Sequence, residues 1–174
     1  MTPYSKGPAA EEAIDKARRL GLSVATAESL TAGMVAAALA TVPGASAVLR
    51  GGVVSYHRDL KASLLGVEAG LLARVGAVDP SVAEQMAAGA RRSCGADVGV
   101  ATTGVAGPEP HEGKEVGVVV VAVVTENRRI SQEHRFGGDR AGIRKKACEA
   151  ALKLLVEVLE ETLREQRGAQ NSYQ

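Results

Sequence analysis

Two hydrophobic rhythms alternate along the chain, one with apolar residues every three or four positions and one with short continuous apolar runs. From Pro8 to Leu20 the apolar positions Ala10, Ala13, Ile14, Ala17 and Leu20 keep helical spacing, and Gly21 stands at the expected C′ position. Leu22 to Ala27 reads as a short strand. Alanine-rich helical signals run from Leu30 to Ala40 and stop at Pro43-Gly44. Val53 to Tyr56 is a second β-prone run, and Leu60 to Leu65 is a short helical piece ending at Gly66.

The second half of the chain carries stronger signals. Asp79-Pro80-Ser81 opens a helix whose apolar face is Val82, Ala83, Met86, Ala87 and Ala90, with Ser81 and Glu84 at capping-box spacing. Val98 to Thr102 reads as a strand. Val116 to Val124 is nearly all valine, which suits a central strand covered by helices on both faces. Arg129 to Arg135 is more polar and reads as an edge strand, joined to the valine strand as a hairpin through Thr125-Glu126-Asn127. The last helix is expected from Asp139 to Arg164, with a stripe of Ile143, Ala147, Ala151, Leu154, Val158 and Leu163. Helices and strands interleave, so the expected fold is one three-layer α/β/α domain with a mixed sheet, spanning residues 8–166. Residues 1–7 and 167–174 are expected to be flexible tails.

Composition sharpens this picture at two points. Aromatic residues make up only 2% of the 174 residues, so the core must be built from Ala, Val, Leu and Ile. A net charge of +1 gives no global attraction to nucleic acid or acidic lipid. Neither a membrane span nor a signal-peptide h-region is visible, so the expected location is the cytoplasm. Cys94 and Cys148 form no metal-type spacing with His57, His111 or His134, and both read as reduced, buried small residues.

Three segments end strands in loops of small and hydroxyl residues, where ligands bind in open α/β sheets. In Ala25 to Gly33, Ser29 and Thr31 present hydroxyls at a helix N-terminus, which attracts phosphate or a developing oxyanion; the plainer reading is an N-cap by Ser29. In Tyr56 to Lys61, a lysine beside a tyrosine lowers the phenol's pKa and fits it to take a proton from a serine; the plainer reading is a half-buried tyrosine and a solvated lysine. In Thr102 to Pro108, Gly104 and Gly107 allow backbone N–H groups to approach a ligand; the plainer reading is a flexible connection. Neither a Walker loop nor G-x-G-x-x-G is present.

In order and spacing, Ala27 to Gly33, Gly52 to Lys61, Thr103 to Pro108 and Phe136 to Arg140 resemble the four motifs of the CinA C-terminal domain family, and the resemblance covers residues 9–160. It implies a nicotinamide mononucleotide deamidase that works without a metal or other cofactor. The family's serine–tyrosine–lysine set falls on Ser29, Tyr56 and Lys61, which implies Ser29 as nucleophile and either Tyr56 or Lys61 as acceptor of its proton. Substrate binding is expected at Thr31, Gly33, Thr103, Gly104, Ala106, Gly107 and Arg140. The resemblance also implies a nucleotide as small-molecule partner and a homo-oligomer, such as a dimer, with no direct nucleic-acid contact. Full-length members carry a further N-terminal domain that this chain has no room for, so any second activity is expected from another polypeptide. The chain departs from the family pattern at Leu30 (usually cysteine), Ala32 and Gly51 (usually glycine and arginine) and Gly137 (often proline), and its loop after Pro108 is shorter. Two other readings fit: a nucleotide-binding protein that has lost activity, and an interaction protein in DNA uptake.

Overall fold

In the computed structural model, which describes residues 7–171, the strands β1 (Val24–Glu28), β2 (Leu49–Val54), β3 (Val98–Gly104), β4 (Val118–Val124) and β5 (Arg129–Arg135) form one sheet. Their order is β2-β1-β3-β4-β5. β1 pairs in parallel with β2 and β3, while β3–β4 and β4–β5 are antiparallel. The sheet is therefore mixed, and the valine run and the polar strand after it form the expected hairpin. Six helices cover it: α1 (Pro8–Leu20), α2 (Met34–Ala40), α3 (Arg58–Leu65), α4 (Ala69–Val75), α5 (Pro80–Cys94) and α6 (Arg140–Asn171).

The alternation of side chains along each strand feeds two cores. Val24, Val98, Val100, Val119, Val121 and Val123 face α1, α2 and α6. The opposite face carries Ala25, Ala27, Ala101 and Ala122 beneath α5 and the α3–α4 segment. Along β1 and β3 that second face is paved with small residues, so the helix above it approaches closely, while β4 adds Val118, Val120 and Val124. A Cβ added to Gly99 of β3 would lie 1.9 Å from the Ala87 carbonyl oxygen of α5. One added to Gly89 of α5 would lie 2.1 Å from the Leu65 carbonyl oxygen of α3. Close backbone approach takes the place of aromatic bulk in this core.

Several boundaries differ from the sequence reading. The second strand is Leu49–Val54, earlier than Val53 to Tyr56. It contains Gly51-Gly52, a weak β signal, and is a strand because it pairs along β1. The first strand starts at Val24, because Ser23 is tied by its N–H and hydroxyl to Asp97 Oδ2 at 2.8 and 2.6 Å. The expected capping box does not form. Asp79 caps α5 through Ser81 N–H at 2.8 Å, and Glu84 instead accepts from Ser131 Oγ at 2.7 Å. Helix α4 carries too short an apolar pattern to be read from sequence. Helix α6 continues through the expected tail to Asn171; residues 1–6 and 172–174 lie outside the described residues. Cys94 is half-buried rather than buried, and Cys148 is buried, its thiol pushed up to about 12 by that burial. No helix among the described residues is long and apolar enough to cross a membrane.

Because the closest backbone approach under α5 is at Gly99, Gly99→Ala is expected to destabilise the fold by about 2–3 kcal/mol through overpacking. Thermal unfolding should then show a Tm about 5–10 °C lower for a domain of this size.

Candidate functional site

Chain crossover creates a crevice at the carboxyl ends of the parallel strands. From β1 the chain leaves over one face through α2 to β2, and it returns over the other face through α3, α4 and α5 to β3. The switch point between β1 and β3 is where α/β sheets open a binding crevice. A pocket of about 330 Å³ lies there, with Ser29, Tyr56, Lys61, Gly107 and Arg140 in its wall. Two backbone bonds hold the three strand ends together: Ser29 N–H donates to Thr102 O at 3.0 Å and Ser55 N–H to Glu28 O at 2.9 Å.

Ser29 and Lys61 meet inside this pocket. Lys61, from the first turns of α3, is only 1% exposed. Its Nζ donates to Ser29 Oγ at 3.0 Å and to the Ser55 carbonyl oxygen at 2.7 Å. Burial lowers its pKa to about 8, against a smaller opposing effect of the Glu112 carboxylate. An amine of that pKa carries a minor neutral fraction near physiological pH, growing toward pH 8, and in that form can accept a proton from a serine hydroxyl. The reading of Lys61 as a solvated residue does not hold.

Tyr56 is 52% exposed, at the mouth of the pocket, and its hydroxyl accepts from Arg140 Nη2 at 2.5 Å. It makes no hydrogen bond to Ser29 or Lys61, so the phenol as direct acceptor of the serine proton is not what the geometry offers. Arg140 also donates through Nη1 to Gly107 O at 2.6 Å. Among the described residues it forms no ion pair, which leaves a cation facing the pocket opening.

The expected substrate-binding residues separate into two groups. Gly104, Ala106, Gly107 and Arg140 line the pocket, as does Thr103. The Thr103 hydroxyl, however, is committed to Ala77 O at 2.7 Å, so it positions the α4–α5 connection. Thr31 and Gly33 lie outside. Thr31 is buried and pairs its hydroxyl with that of Thr102 at 2.7 Å. Gly33 N–H donates to Glu28 Oε2 at 2.9 Å.

This last bond belongs to a larger correction. Helix α2 begins at Met34, and residues 29–33 are a turn rather than helix. Neither Ser29 nor any other hydroxyl caps it. Glu28, 1% exposed at the end of β1, accepts from Gly33, Val35 and Ala36 N–H at 2.9, 3.0 and 2.9 Å. The helix N-terminus expected to bind phosphate is thereby occupied by the protein's own carboxylate. The only sequence signal for this was an acidic residue closing an otherwise apolar strand. Ala32, the departure from glycine, adopts a left-handed φ of 48° and is exposed away from the pocket, so its methyl group does not narrow the site.

Two more residues were not foreseen. From the loop after Pro108, Glu112 accepts from Arg58 Nη1 at 3.0 Å and from Ala77 N–H at 2.5 Å, fastening that loop over α3 and α4. Arg144 of α6 donates through Nε to Leu30 O at 2.7 Å. Contacts of such range in sequence leave no periodic trace.

Comparison with known proteins agrees with the fold and the family. A model of the CinA C-terminal domain matches residues 7–159. A CinA-like protein of Frankia casuarinae is 48% identical over 137 residues, which is 79% of this chain and 32% of that protein. The chain thus spans about a third of the length of the curated relatives it matches. The crystal structure of competence/damage inducible protein CihA from Agrobacterium tumefaciens superposes with a TM-score of 0.82 at 39% identity, covering 88% of this chain and 96% of that one. A CinA superfamily protein from Klebsiella pneumoniae gives 0.85 at 30% identity, over 92% and 99%.

Lys61 carries its proton to pH 10.5 when unfolded but only to about 8 when folded. Between these values the unfolded chain binds more protons, so stability rises with pH across the window. Burying the charged amine costs about 3 kcal/mol below pH 8, and this cost disappears by pH 10.5. Urea unfolding at pH 7 and at pH 10 is expected to show this gain in the native protein and to lack it in Lys61→Met.

Proposed function

The chain belongs to the CinA C-terminal domain family, and from that premise we propose that it hydrolyses the carboxamide of nicotinamide mononucleotide to nicotinic acid mononucleotide and ammonia. The observation that carries this reading is the buried Lys61 amine, 3.0 Å from the Ser29 hydroxyl at the wall of an open pocket. A serine paired with a lysine of lowered pKa is a known solution to amide cleavage without a metal.

The chemistry divides into two half-reactions. Neutral Lys61 takes the proton of Ser29 as Oγ attacks the carboxamide carbon. Backbone N–H groups at Gly104, Ala106 and Gly107 on the pocket wall are the donors open to the resulting oxyanion, since that of Val105 is bonded to Val118 O. The ammonium of Lys61 then gives its proton to the departing nitrogen, and ammonia leaves an acyl-enzyme. Water, deprotonated by the same amine, attacks that ester and releases the carboxylate and the free serine.

Binding falls to the rim. Arg140 is the cation available to the nucleotide's phosphate, while the half-exposed Tyr56 ring offers its face to a positively charged pyridinium. Tyr56 thus serves binding and Arg140 orientation rather than proton transfer. The bond between them fixes both at the mouth.

Release of ammonia and nicotinic acid mononucleotide from nicotinamide mononucleotide tests the reading. Ser29→Ala and Lys61→Ala are each expected to lower kcat by about a thousandfold or more while circular dichroism stays native. Tyr56→Phe, which keeps the ring face, should act mainly on KM. The rate should rise with pH toward a plateau above about 8, as Lys61 loses its proton. A well-folded native chain that releases no ammonia would instead favour a nucleotide-binding role without turnover.

A further inference from the structure

Between β1 and α2, two charged side chains grip residues 29–33 from opposite sides, and the hydrolysis reading gives neither of them a role. On the N–H side is Glu28. Its Oε2 accepts from Gly33 and Val35, and its Oε1 accepts from Ala36. The remaining helix-entry N–H, that of Met34, goes to Thr31 O at 3.1 Å. The carboxyl group also meets the positive end of the α2 dipole. On the carbonyl side is Arg144, whose Nε donates to Leu30 O at 2.7 Å and whose Nη2 donates to Thr31 O at 3.4 Å.

The consequence concerns Ser29. Ser29 opens this turn, four residues ahead of Gly33 at the start of α2, and its hydroxyl accepts from Lys61 rather than joining the helix end. The path of the turn therefore sets where that hydroxyl lies. The backbone must bend sharply to bring this about, with Ala32 and Gly33 both at positive φ, 48° and 99°. A bend of that kind persists only where surrounding contacts over-determine it.

We propose that Glu28 and Arg144 act as a clamp that fixes the 29–33 turn and so holds the Ser29 hydroxyl toward Lys61, which makes both of them positioning residues. The inference rests on the reading of Ser29 as nucleophile. With glutamine at position 28, one of the two acceptor oxygens becomes an NH2 donor facing backbone N–H groups, and the turn relaxes. The nucleophile would then be drawn out of line while the fold persists.

The test is the rate at which a fluorophosphonate modifies Ser29, followed by peptide mass mapping. In that step the Oγ–P bond forms, the P–F bond breaks with loss of fluoride, and the serine proton passes to Lys61. Native protein is compared with Glu28→Gln, with Arg144→Lys and with Ile14→Ala, a core truncation in α1 that removes none of the turn's hydrogen bonds. Glu28→Gln is expected to react about ten- to a hundredfold more slowly, the effect of misplacing a reacting atom by an ångström or less. Arg144→Lys should react several-fold more slowly and Ile14→Ala at the native rate. The pH midpoint should stay near 8 throughout, because neither clamp residue touches Lys61. A folded Glu28→Gln that reacts at the native rate overturns the clamp, as does an Ile14→Ala that slows equally. Should Glu28→Gln not fold, a native rate in Arg144→Lys overturns it. Native protein that is never labelled at Ser29 overturns the nucleophile reading itself, and the clamp with it.

Discussion

A lysine amine held inside the protein with only neutral groups in direct contact sets the terms for everything around it. Lys61 hydrogen-bonds a serine hydroxyl and a backbone carbonyl, and no carboxylate lies within ion-pair distance among the described residues. The nearest acid with a resolved influence, Glu112, acts through space while its oxygens are bound to Arg58 and Ala77. A closer carboxylate would steady the ammonium and remove its value as a base. A fully apolar surrounding would push the proton off altogether and leave nothing to return to a leaving group. The observed setting lies between these limits, and it costs the fold stability at neutral pH.

Holding that amine requires a rigid frame on both sides of the sheet. On the α5 side, Ala25, Ala27, Gly99, Ala101 and Ala122 let the helices settle almost onto the strand backbones. This shortens the reach from α3 to the end of β1, so that a lysine on the helix can touch a serine after the strand. On the other side, branched valines and leucines fill a thicker layer beneath α1, α2 and α6. Helix α6 reaches back from that layer to the turn through Arg144. The two cores therefore converge on the same five residues.

Two buried ionisable groups do different work at this turn. Glu28 accepts from three N–H donors of the helix end and shapes the backbone. Lys61 is buried with only oxygen acceptors, and burial weakens its hold on the proton. The carboxyl group is structural, while the amine becomes reactive. Neighbouring buried ionisable groups thus acquire different roles from the number and kind of hydrogen-bonding partners alone.

What the chain by itself determined was periodic or contiguous. The valine run had to be a central strand, since seven buried residues in a row leave no face for water. The helix opened by Asp79-Pro80, the hairpin and the mixed sheet followed equally from local pattern, while the grouping of Ser29, Tyr56 and Lys61 came from the family resemblance in motif order. Tertiary structure decided what depends on partners far away in sequence. It made a strand of the glycine-containing segment 49–54 by pairing it with β1, and it moved the cap of α5 from the Ser81–Glu84 pair to Asp79 because Glu84 was needed at Ser131. It also set Tyr56 on Arg140 and Lys61 on Ser29, committed the hydroxyls of Thr31 and Thr103 to the frame, and gave Glu28 the helix end that a hydroxyl was expected to hold. Hydrophobic periodicity records which face of an element is buried. It carries no record of which polar atom, across 30 or 100 residues, will satisfy another one inside.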